Sequence, residues 1–313
     1  MHLPSAWLLP VAVVAWAAPA RRPADLPKTP LESYRAGDDG CAGAAVSTEP
    51  ATPRQGSFFR VRVEGVPAST GIRGTFAGEP LHFTEDGIVR EAITAAPIDA
   101  ASPMPVVVQC VTESATDSVV QSLSLTTADY PLERLTVAPR FGAPPSAALA
   151  ARMRREAARA AEVSRQAHTT PRLWRVPFRR PRDSRVTSAF GSGREFNGAV
   201  TSRHMGTDYA GAVGAPVHAA NRGVVRLVGA FFLGGNCVYV DHGAGIVTAY
   251  LHLSRVAVAV GDTVDQDTVI GRVGATGRVT GPHLHWITRY GGITADPASL
   301  LRVTAREGGT TED

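Results

Sequence analysis

Apolar and polar residues alternate through much of the first half of the chain. Phe59, Val61 and Val63 are separated by two arginines, which is the period of two expected of a strand with one buried face. The predicted strands in this region are 57–63, 71–76, 80–84, 106–110 and 119–126. Strands at this spacing predict a small β-sandwich, of immunoglobulin-like type, over residues 41–141.

A helical period follows the predicted strands. Pro144 and Pro145 open this segment, and Ser146 is a candidate N-cap or first-turn residue. Apolar residues then recur at steps of three and four as far as about residue 167: Leu149, Met153, Ala157, Ala160 and Val163. Arginines fill much of the remainder, so we interpret the segment as a connecting helix on a domain surface. Residues 169–185 are rich in proline and arginine, and 142–185 is therefore predicted to be a connecting helix and linker.

Short β-type stretches punctuated by glycine return in the last third of the chain. The predicted strands there are 223–228, 236–241, 246–252, 269–273 and 285–289. A pattern of this kind without long helices predicts a mainly antiparallel sheet over residues 186–302, followed by a flexible tail at 303–313. The predicted fold class is therefore mainly β, with a C-terminal antiparallel sheet domain preceded by a small β-sandwich and a connecting helix.

The first residues have the pattern of an export signal. Residues 3–18 are almost entirely apolar, and Ala18-Pro19-Ala20 offers small residues for cleavage. We predict a signal peptide at 1–20 and a flexible segment at 21–40. An uncleaved anchor is the alternative, although the apolar run is short for a membrane span. The pattern therefore predicts export without stable membrane insertion after cleavage.

The net charge indicates which partners the chain favours, and the cysteines indicate whether its compartment could be oxidising. The net charge of +4 over 313 residues favours contact with an anionic surface such as a cell wall. No groove-reading motif accompanies the arginines, so nucleic acid is not an expected partner. Cys41 and Cys110 could form a disulfide in an oxidising compartment, and Cys237 lies in an apolar strand as a buried free thiol.

Six of the nine histidines fall between residues 203 and 286. His204 and Asp208 are four residues apart in a glycine-containing loop, and His283 and His285 have the i, i+2 spacing that places side chains on one face of a strand. Two imidazoles and one carboxylate leave a fourth zinc position for water, as in catalytic zinc sites. Spacing alone does not decide which histidine of the pair is the ligand.

Three further histidines carry no chemical prediction. His82 is interpreted as a surface residue, His218 as a non-ligand before a strand, and His242 as a turn residue or a neighbour of the site.

In the loop before His283, Arg278 and Thr280 could contact substrate, or the surrounding glycines could simply form tight turns. This glycine run is not a phosphate-binding loop, because it lacks the required Gly-Lys pair.

The order of these motifs, together with the sequence between them, resembles the LytM-type zinc metallopeptidases, also called lysostaphin-like or M23 peptidases. The resemblance covers about residues 186–301. The segments that carry it are Val186 to Gly191, His204 to Ala210, Gly214 to Val217, Gly235 to Gly243, Tyr250 to Leu253, Gly261 to Val264, Gly271 to Gly274 and Gly281 to Trp286. Some lysostaphin-like enzymes have a tyrosine shortly before the first ligand, whereas residues 196–200 hold none.

The resemblance implies a zinc site and a reaction. His204, Asp208 and His285 would be the Zn²⁺ ligands, and His252 and His283 the catalytic pair beside the bound water. The implied function is that of an exported zinc endopeptidase that hydrolyses peptide cross-links of bacterial peptidoglycan. The location that this function implies is the periplasm or cell envelope, or the extracellular space of a Gram-positive cell. The sequence does not indicate which bond is cut, nor whether the N-terminal region binds wall, binds an envelope protein partner or covers the groove.

Two other classes of protein share part of this sequence pattern. A non-catalytic LytM-like regulator that activates another wall hydrolase would lack ligands, whereas all five site residues are present here. A biotinyl or lipoyl carrier is suggested by the hairpin-like segment 261–274. Such carriers need a lysine to acylate. Lys28 is the only lysine in the chain and lies far outside segment 261–274, so the carrier is excluded.

Overall fold

The computed structural model describes residues 41–305, except 42, 85–88, 114, 143 and 199. The fold is mainly β, as predicted. The predicted signal peptide and the flexible segment that follows it lie outside the described residues. The tail prediction is wrong at its start, because a C-terminal helix continues to Ala305; residues 306–313 lie outside the described part.

The N-terminal strands are β1 Ala45–Glu49, β2 Phe58–Glu64, β3 Gly71–Phe76, β4 Glu79–Pro80, β5 Arg90–Ala95, β6 Met104–Val111, β7 Thr116–Leu123 and β8 Leu132–Leu135. The first seven form two sheets, in the orders β1-β2-β5 and β4-β3-β6-β7. Phe59, Val61 and Val63 are fully buried between these sheets, so the predicted alternation marks the core face. The region is a two-sheet β-sandwich, and its immunoglobulin-like character stays a prediction.

Two local features complete this sandwich. Cys41 and Cys110 form a disulfide that joins the start of the described chain to β6. The predicted strand 80–84 is wrong beyond Pro80, where regular pairing ends. The amide of Leu81 instead donates to the carbonyl of Gly74, and the chain leaves the sheet there.

Two α-helices and one 3-10 helix follow: α1 Pro139–Gly142, α2 Ala147–Gln166 and the 3-10 helix Ala167–Thr169. Ser146 is the N-cap of α2, and its hydroxyl accepts a hydrogen bond from the amide of Leu149 at 3.3 Å. Ala160 and Val163 of α2 are buried against the C-terminal sheet. The helix therefore lies on a domain surface, as the period of its apolar residues predicts.

The segment interpreted as a linker by its composition is packed against the C-terminal domain. Trp174 and Phe178 are buried and join the core of that domain. The amide of Arg179 donates to the carbonyl of Ala220 at 3.0 Å. Aromatic residues within the proline- and arginine-rich run explain the difference, because burying them fixes a segment that its composition alone would leave free.

The C-terminal elements are β9 Val186–Ser188, β10 Gly193–Phe196, β11 Val200–Arg203, β12 Thr207–Ala210, β13 Pro216–His218, β14 Gly223–Phe231, β15 Gly235–Gly243, β16 Ile246–Leu253, β17 Arg255–Val256, β18 Thr263–Val264, β19 Val269–Arg272, β20 His283–Tyr290, β21 Ile293–Ala295 and α3 Pro297–Ala305. The main sheet has the order β18-β14-β15-β16-β20-β12-β9, with β21 on β20, and its pairings are antiparallel. Tyr250 and Trp286 are fully buried at its centre.

One strand connects the two halves of the chain. β8 leaves the β-sandwich and pairs in parallel with β10, in a sheet of order β11-β10-β8. Residues 132–135, which lie within the range predicted for the N-terminal domain, therefore form part of the surroundings of the C-terminal site. Among the described residues, no helix is both long enough and apolar enough to cross a bilayer.

Two histidines differ from their interpretations. His242 is fully buried in β15, where its ring nitrogens lie 2.8 Å from the Arg222 carbonyl and 2.8 Å from the Thr248 hydroxyl, so it is not a turn residue. His82 is partly buried rather than a surface residue, because its ring stacks on that of His168 with 5.2 Å between centroids. Cys237 is a buried free thiol, as predicted.

Candidate metal centre

Strand register brings two of the predicted ligands face to face. In the antiparallel pair of β12 and β20, Asp208 lies opposite His285 and Ala210 lies opposite His283. Directly opposed residues of neighbouring strands have side chains within contact distance. Because His283 and His285 are two residues apart, both imidazoles lie on the face of β20 that carries Asp208.

His204 reaches this pair from the loop before β12. Its Nε2 lies 3.0 Å from Asp208 Oδ1 and 2.9 Å from His285 Nδ1, and the latter lies 2.6 Å from the same Asp208 oxygen. All three residues are buried, and their donor atoms lie within 4.8 Å of one another. Ligands of a tetrahedral zinc ion with 2.0–2.1 Å bonds are about 3.4 Å apart. The three donor atoms are closer together than this, at 2.6 to 3.0 Å, so the set fits zinc if each pair of atoms moves apart by less than about 1 Å.

The orientation of His204 is set by its other ring nitrogen. Nδ1 lies 2.8 Å from the carbonyl oxygen of Ala189, which can only accept, so Nδ1 carries the proton and donates it. Nε2 then keeps a free lone pair directed at the site, as metal binding requires. Gly206 permits the close approach of this loop, because a Cβ there would lie 2.6 Å from the Trp286 carbonyl oxygen and 2.7 Å from His285 Nε2.

Arg194 of β10 supports the carboxylate from the other side. Its Nη2 donates to Asp208 Oδ2 at 2.7 Å, and its Nε donates to Glu133 Oε2 at 3.1 Å. Ser188 also belongs to this network, because its hydroxyl donates to Glu133 Oε1 at 2.8 Å and lies 3.1 Å from His204 Nδ1. The sequence does not predict the roles of Arg194 and Glu133, because no spacing along the chain relates them to Asp208.

His252 and His283 lie beside the three candidate ligands. Their ring centroids are 4.9 Å apart, and His252 is 5.8 Å from His285 by the same measure. Nδ1 of His252 donates to the carbonyl of Thr276 at 2.8 Å, and Nδ1 of His283 donates to that of Gly281 at 2.8 Å. In each ring this leaves Nε2 as the free acceptor.

The backbone of His252 is held in an unusual conformation. Its φ of 64° lies in the left-handed region, at the end of β16. The amide of His252 donates to the carbonyl of Gly234 at 2.8 Å, so both its backbone and its ring are fixed. Strain of this kind concentrates at functional sites, where the surrounding structure maintains it.

Burial and mutual contacts shift the pKa values of the site. Burial opposes ionisation of Asp208, but the side chains of His204 and His285 beside it hold its pKa well below the usual range. Burial lowers the pKa of His285 to about 4, against the opposing effect of Asp208. Burial also lowers the pKa of His252, together with the charges of His285 and His283. Near neutral pH the cluster therefore offers an ionised Asp208 carboxylate and neutral imidazoles at His285 and His252, the forms that bind metal and accept protons.

A cleft of about 430 Å³ opens onto these groups. It is lined by Asp208 and His283, by Glu133 and Leu135 of β8, and by the loop from 278 to 282. Arg278 and Thr280 thus line the same cleft as Asp208 and His283. Of the other histidines, His218 lies away from the cluster, with its Nδ1 3.3 Å from the Asp267 carbonyl oxygen.

Comparison with known proteins agrees with this geometry. Residues 202–297 match the profile of peptidase family M23. The peptidoglycan DD-endopeptidase ShyC of Vibrio cholerae is 45% identical over 97 residues, which are 31% of this chain and 22% of that protein. The DD-carboxypeptidase/endopeptidase Mpg of Neisseria meningitidis is 44% identical over 101 residues, which are 32% of this chain and 23% of that protein. The chain thus spans less than a quarter of the length of either relative.

A solved structure extends the likeness beyond the metal centre. The crystal structure of a candidate M23 peptidase from Pseudomonas aeruginosa superposes with a TM-score of 0.62 at 26% identity, and covers 81% of this chain and 96% of that one. An overlap of this size includes the β-sandwich as well as the C-terminal sheet. The fold and the candidate site are those of the metallopeptidase-like β domains. Within that class, the C-terminal domain of this chain is a LytM-like domain of peptidase family M23.

Proposed function

We propose that the protein is an exported, zinc-dependent endopeptidase that hydrolyses peptide cross-links of bacterial peptidoglycan. The observation that carries the proposal is the clustering of five side chains beside a cleft that Asp208 and His283 line. Three of the five form a candidate metal-binding set, and the other two have free Nε2 atoms. The names of the relatives, which are peptidoglycan endopeptidases, support the choice of substrate.

His204, Asp208 and His285 would hold the ion through Nε2, Oδ1 and Nδ1. Zinc, when bound, supplies Lewis acidity that makes water acidic enough to attack a peptide carbonyl near neutral pH. With these three residues as ligands, a fourth position would remain for water, as in catalytic zinc sites. Arg194 keeps Oδ2 of Asp208 occupied, so the carboxylate presents Oδ1 alone to the ion.

His252 and His283 would perform the proton transfers. Each has its Nδ1 proton held by a backbone carbonyl, so either Nε2 is free to accept a proton from the attacking water and deliver it to the leaving amine. The ring that carries the proton also stabilises negative charge on the carbonyl oxygen under attack. The division of these two roles between the histidines is not assigned.

Export and substrate access follow from the same proposal. A peptidoglycan substrate requires a location outside the cytoplasmic membrane, consistent with the apolar run at residues 3–18 and the disulfide between Cys41 and Cys110. β8, the strand that follows the β-sandwich, lies at the rim of the cleft through Glu133 and Leu135. We also propose that the N-terminal region contacts the wall or an envelope protein partner.

Purified protein incubated with isolated sacculi tests the proposal. Zinc-loaded protein should release soluble muropeptides with cut cross-links, as identified by mass spectrometry. A chelator should stop the release, and added zinc should restore it. Intact cross-links after incubation with protein that demonstrably holds zinc would reject the enzyme and favour the non-catalytic regulator.

A further inference from the structure

Arg278 lies at the rim of the cleft on a loop that is fixed at both ends. Its amide donates to the Leu233 carbonyl at 2.8 Å. The preceding Gly277 has φ 77°, and a Cβ there would lie 2.4 Å from that same Leu233 carbonyl oxygen. The loop also supplies the Thr276 carbonyl that orients His252. The position of Arg278 is therefore coupled to the backbone that holds a candidate catalytic histidine.

The guanidinium of Arg278 has very few partners for its five donors. It packs over the ring of Phe196, with 4.0 Å from Cζ to the ring centroid. Its one side-chain hydrogen bond, to the Ser202 hydroxyl, is long at 3.4 Å. Within the described residues, no carboxylate lies within 4.0 Å of it. Partial burial lowers its pKa to about 10, so the group keeps its charge at neutral pH without a counter-ion.

The other two arginines that line the cleft are either paired with carboxylates or exposed to water. Arg194 is already engaged by Asp208 and Glu133. Arg185 lines the same cleft but is exposed, so water screens its charge. Arg278 is thus the cleft arginine, among the described residues, that combines partial burial with unused donors.

We propose that Arg278 binds a carboxylate of the substrate, next to the amide bond that is cut, and so makes the enzyme specific for peptides that carry a free carboxyl group there. The inference rests on the proposed function for the identity of the substrate. A planar guanidinium and a carboxylate match in two parallel hydrogen bonds, and such pairs are stronger than neutral ones. Stacking on Phe196 fixes the plane of the guanidinium and so directs the pair.

Two synthetic cross-link peptides test the proposal. Both contain a D-alanyl to diaminopimelyl amide, and the diaminopimelyl carboxyl group next to that amide is free in one and converted to a carboxamide in the other. Binding is measured by calorimetry with zinc-loaded His283→Ala, which should not turn over, and with metal-free wild-type protein as a second form. The free carboxylate should bind about tenfold or more tightly than the carboxamide.

Substitutions in the same background assign this preference to one residue. Arg278→Gln should reduce the difference between the peptides to less than about twofold, while Arg278→Lys, which keeps the charge but loses the planar fork, should keep part of it. Arg255→Gln, at an exposed arginine of β17 outside the cleft, is the matched control and should keep all of it. Unchanged zinc content and circular dichroism would show that Arg278→Gln is folded.

The outcomes separate the inference from the proposed function. Equal binding of the two peptides by the wild type, or no binding of either, overturns the carboxylate site whether or not sacculi are cut. A preference that survives in Arg278→Gln overturns it as well. The third outcome is a binding preference that depends on Arg278 in a protein whose zinc-loaded wild type cuts neither peptide. The binding result would then support the carboxylate site, and the absence of cleavage would reject the endopeptidase.

Discussion

Nη2 of Arg194 donates a hydrogen bond to Oδ2 of Asp208 at 2.7 Å, while the nitrogens of His204 and His285 approach the other oxygen, Oδ1. The two carboxylate oxygens therefore have separate tasks. One is held by Arg194, and the other faces the candidate metal-binding position. Glu133, which lies on β8, holds Arg194 in turn, so the strand from the N-terminal half contributes to the orientation of a candidate ligand.

Replacing Arg194 by methionine should weaken zinc binding. The carboxylate would lose the partner that fixes its rotation, and loss of such supporting groups typically costs about 10- to 100-fold in metal affinity. The dissociation constant is measured by competition with a chromophoric chelator. Arg134→Met is the matched control, because Arg134 on β8 is 74% exposed and lies 3.6 Å from Glu195 rather than near Asp208. Equal affinities of the two variants would show that Arg194 does not position the ligand.

The two candidate catalytic histidines should behave differently from the ligands. His252→Ala and His283→Ala should each retain zinc but lose about 100-fold or more in kcat, since a positioned acid or base contributes that much. Their rings are held through Nδ1 by carbonyls and do not belong to the metal-binding set. Turnover of a cross-link peptide and metal analysis of the same samples provide the readouts. Loss of zinc from His283→Ala would show that His283 is a ligand, and the catalytic role would then pass to His285.

Removal of the disulfide should affect stability rather than the site. The bond joins residues 69 apart, and loss of a bond that closes a loop of this length costs about 2–5 kcal/mol. The double variant Cys41→Ser, Cys110→Ser should therefore unfold at lower urea concentration. Its zinc content should match that of the wild type, because both cysteines belong to the β-sandwich core. Reduced zinc content in a folded double variant would contradict this separation.

His242 should make the fold sensitive to acid. Burial lowers its pKa to about 4 from an ordinary value near 6.5, so the folded state binds this proton less readily than the unfolded state. Its contribution is complete above about pH 6.5 and is lost as the pH falls towards 4. The loss amounts to up to about 3 kcal/mol.

Urea denaturation between about pH 4 and 7 measures this dependence. In His242→Gln, which cannot take up the proton, the free energy of unfolding should fall less over that range than in the wild type. His218→Gln is the control, because His218 is only partly buried and makes one long contact with Asp267. Identical pH slopes for the wild type and His242→Gln would exclude His242 as the source.

The sequence predicts the elements of the site that depend on local spacing. His283 and His285 share one face because strand side chains alternate, and the structure brings them together with His204, Asp208 and His252. The roles of these five residues stay predictions. The β-sandwich alternation at Phe59, Val61 and Val63 is likewise a local pattern, and the structure shows it as a buried face.

Features that depend on distant contacts could not be predicted in this way. Glu133 and Arg194 meet because β8 pairs with β10, and nothing within either strand signals that partner. Trp174 and Phe178 were assigned to a linker by the prolines and arginines around them, whereas their burial depends on a surface provided by the C-terminal sheet. His82 meets His168 for the same reason, across 86 residues of chain.

Zinc content is the most direct measurement of the central claim that His204, Asp208 and His285 hold one ion. Protein purified without added chelator is analysed by elemental mass spectrometry, beside the variant His285→Ala. The account predicts about one equivalent of zinc in the wild type and a loss of nearly all of it in the variant. Wild-type protein that binds no stoichiometric zinc when the metal is supplied, or a variant that keeps its full content, would contradict it.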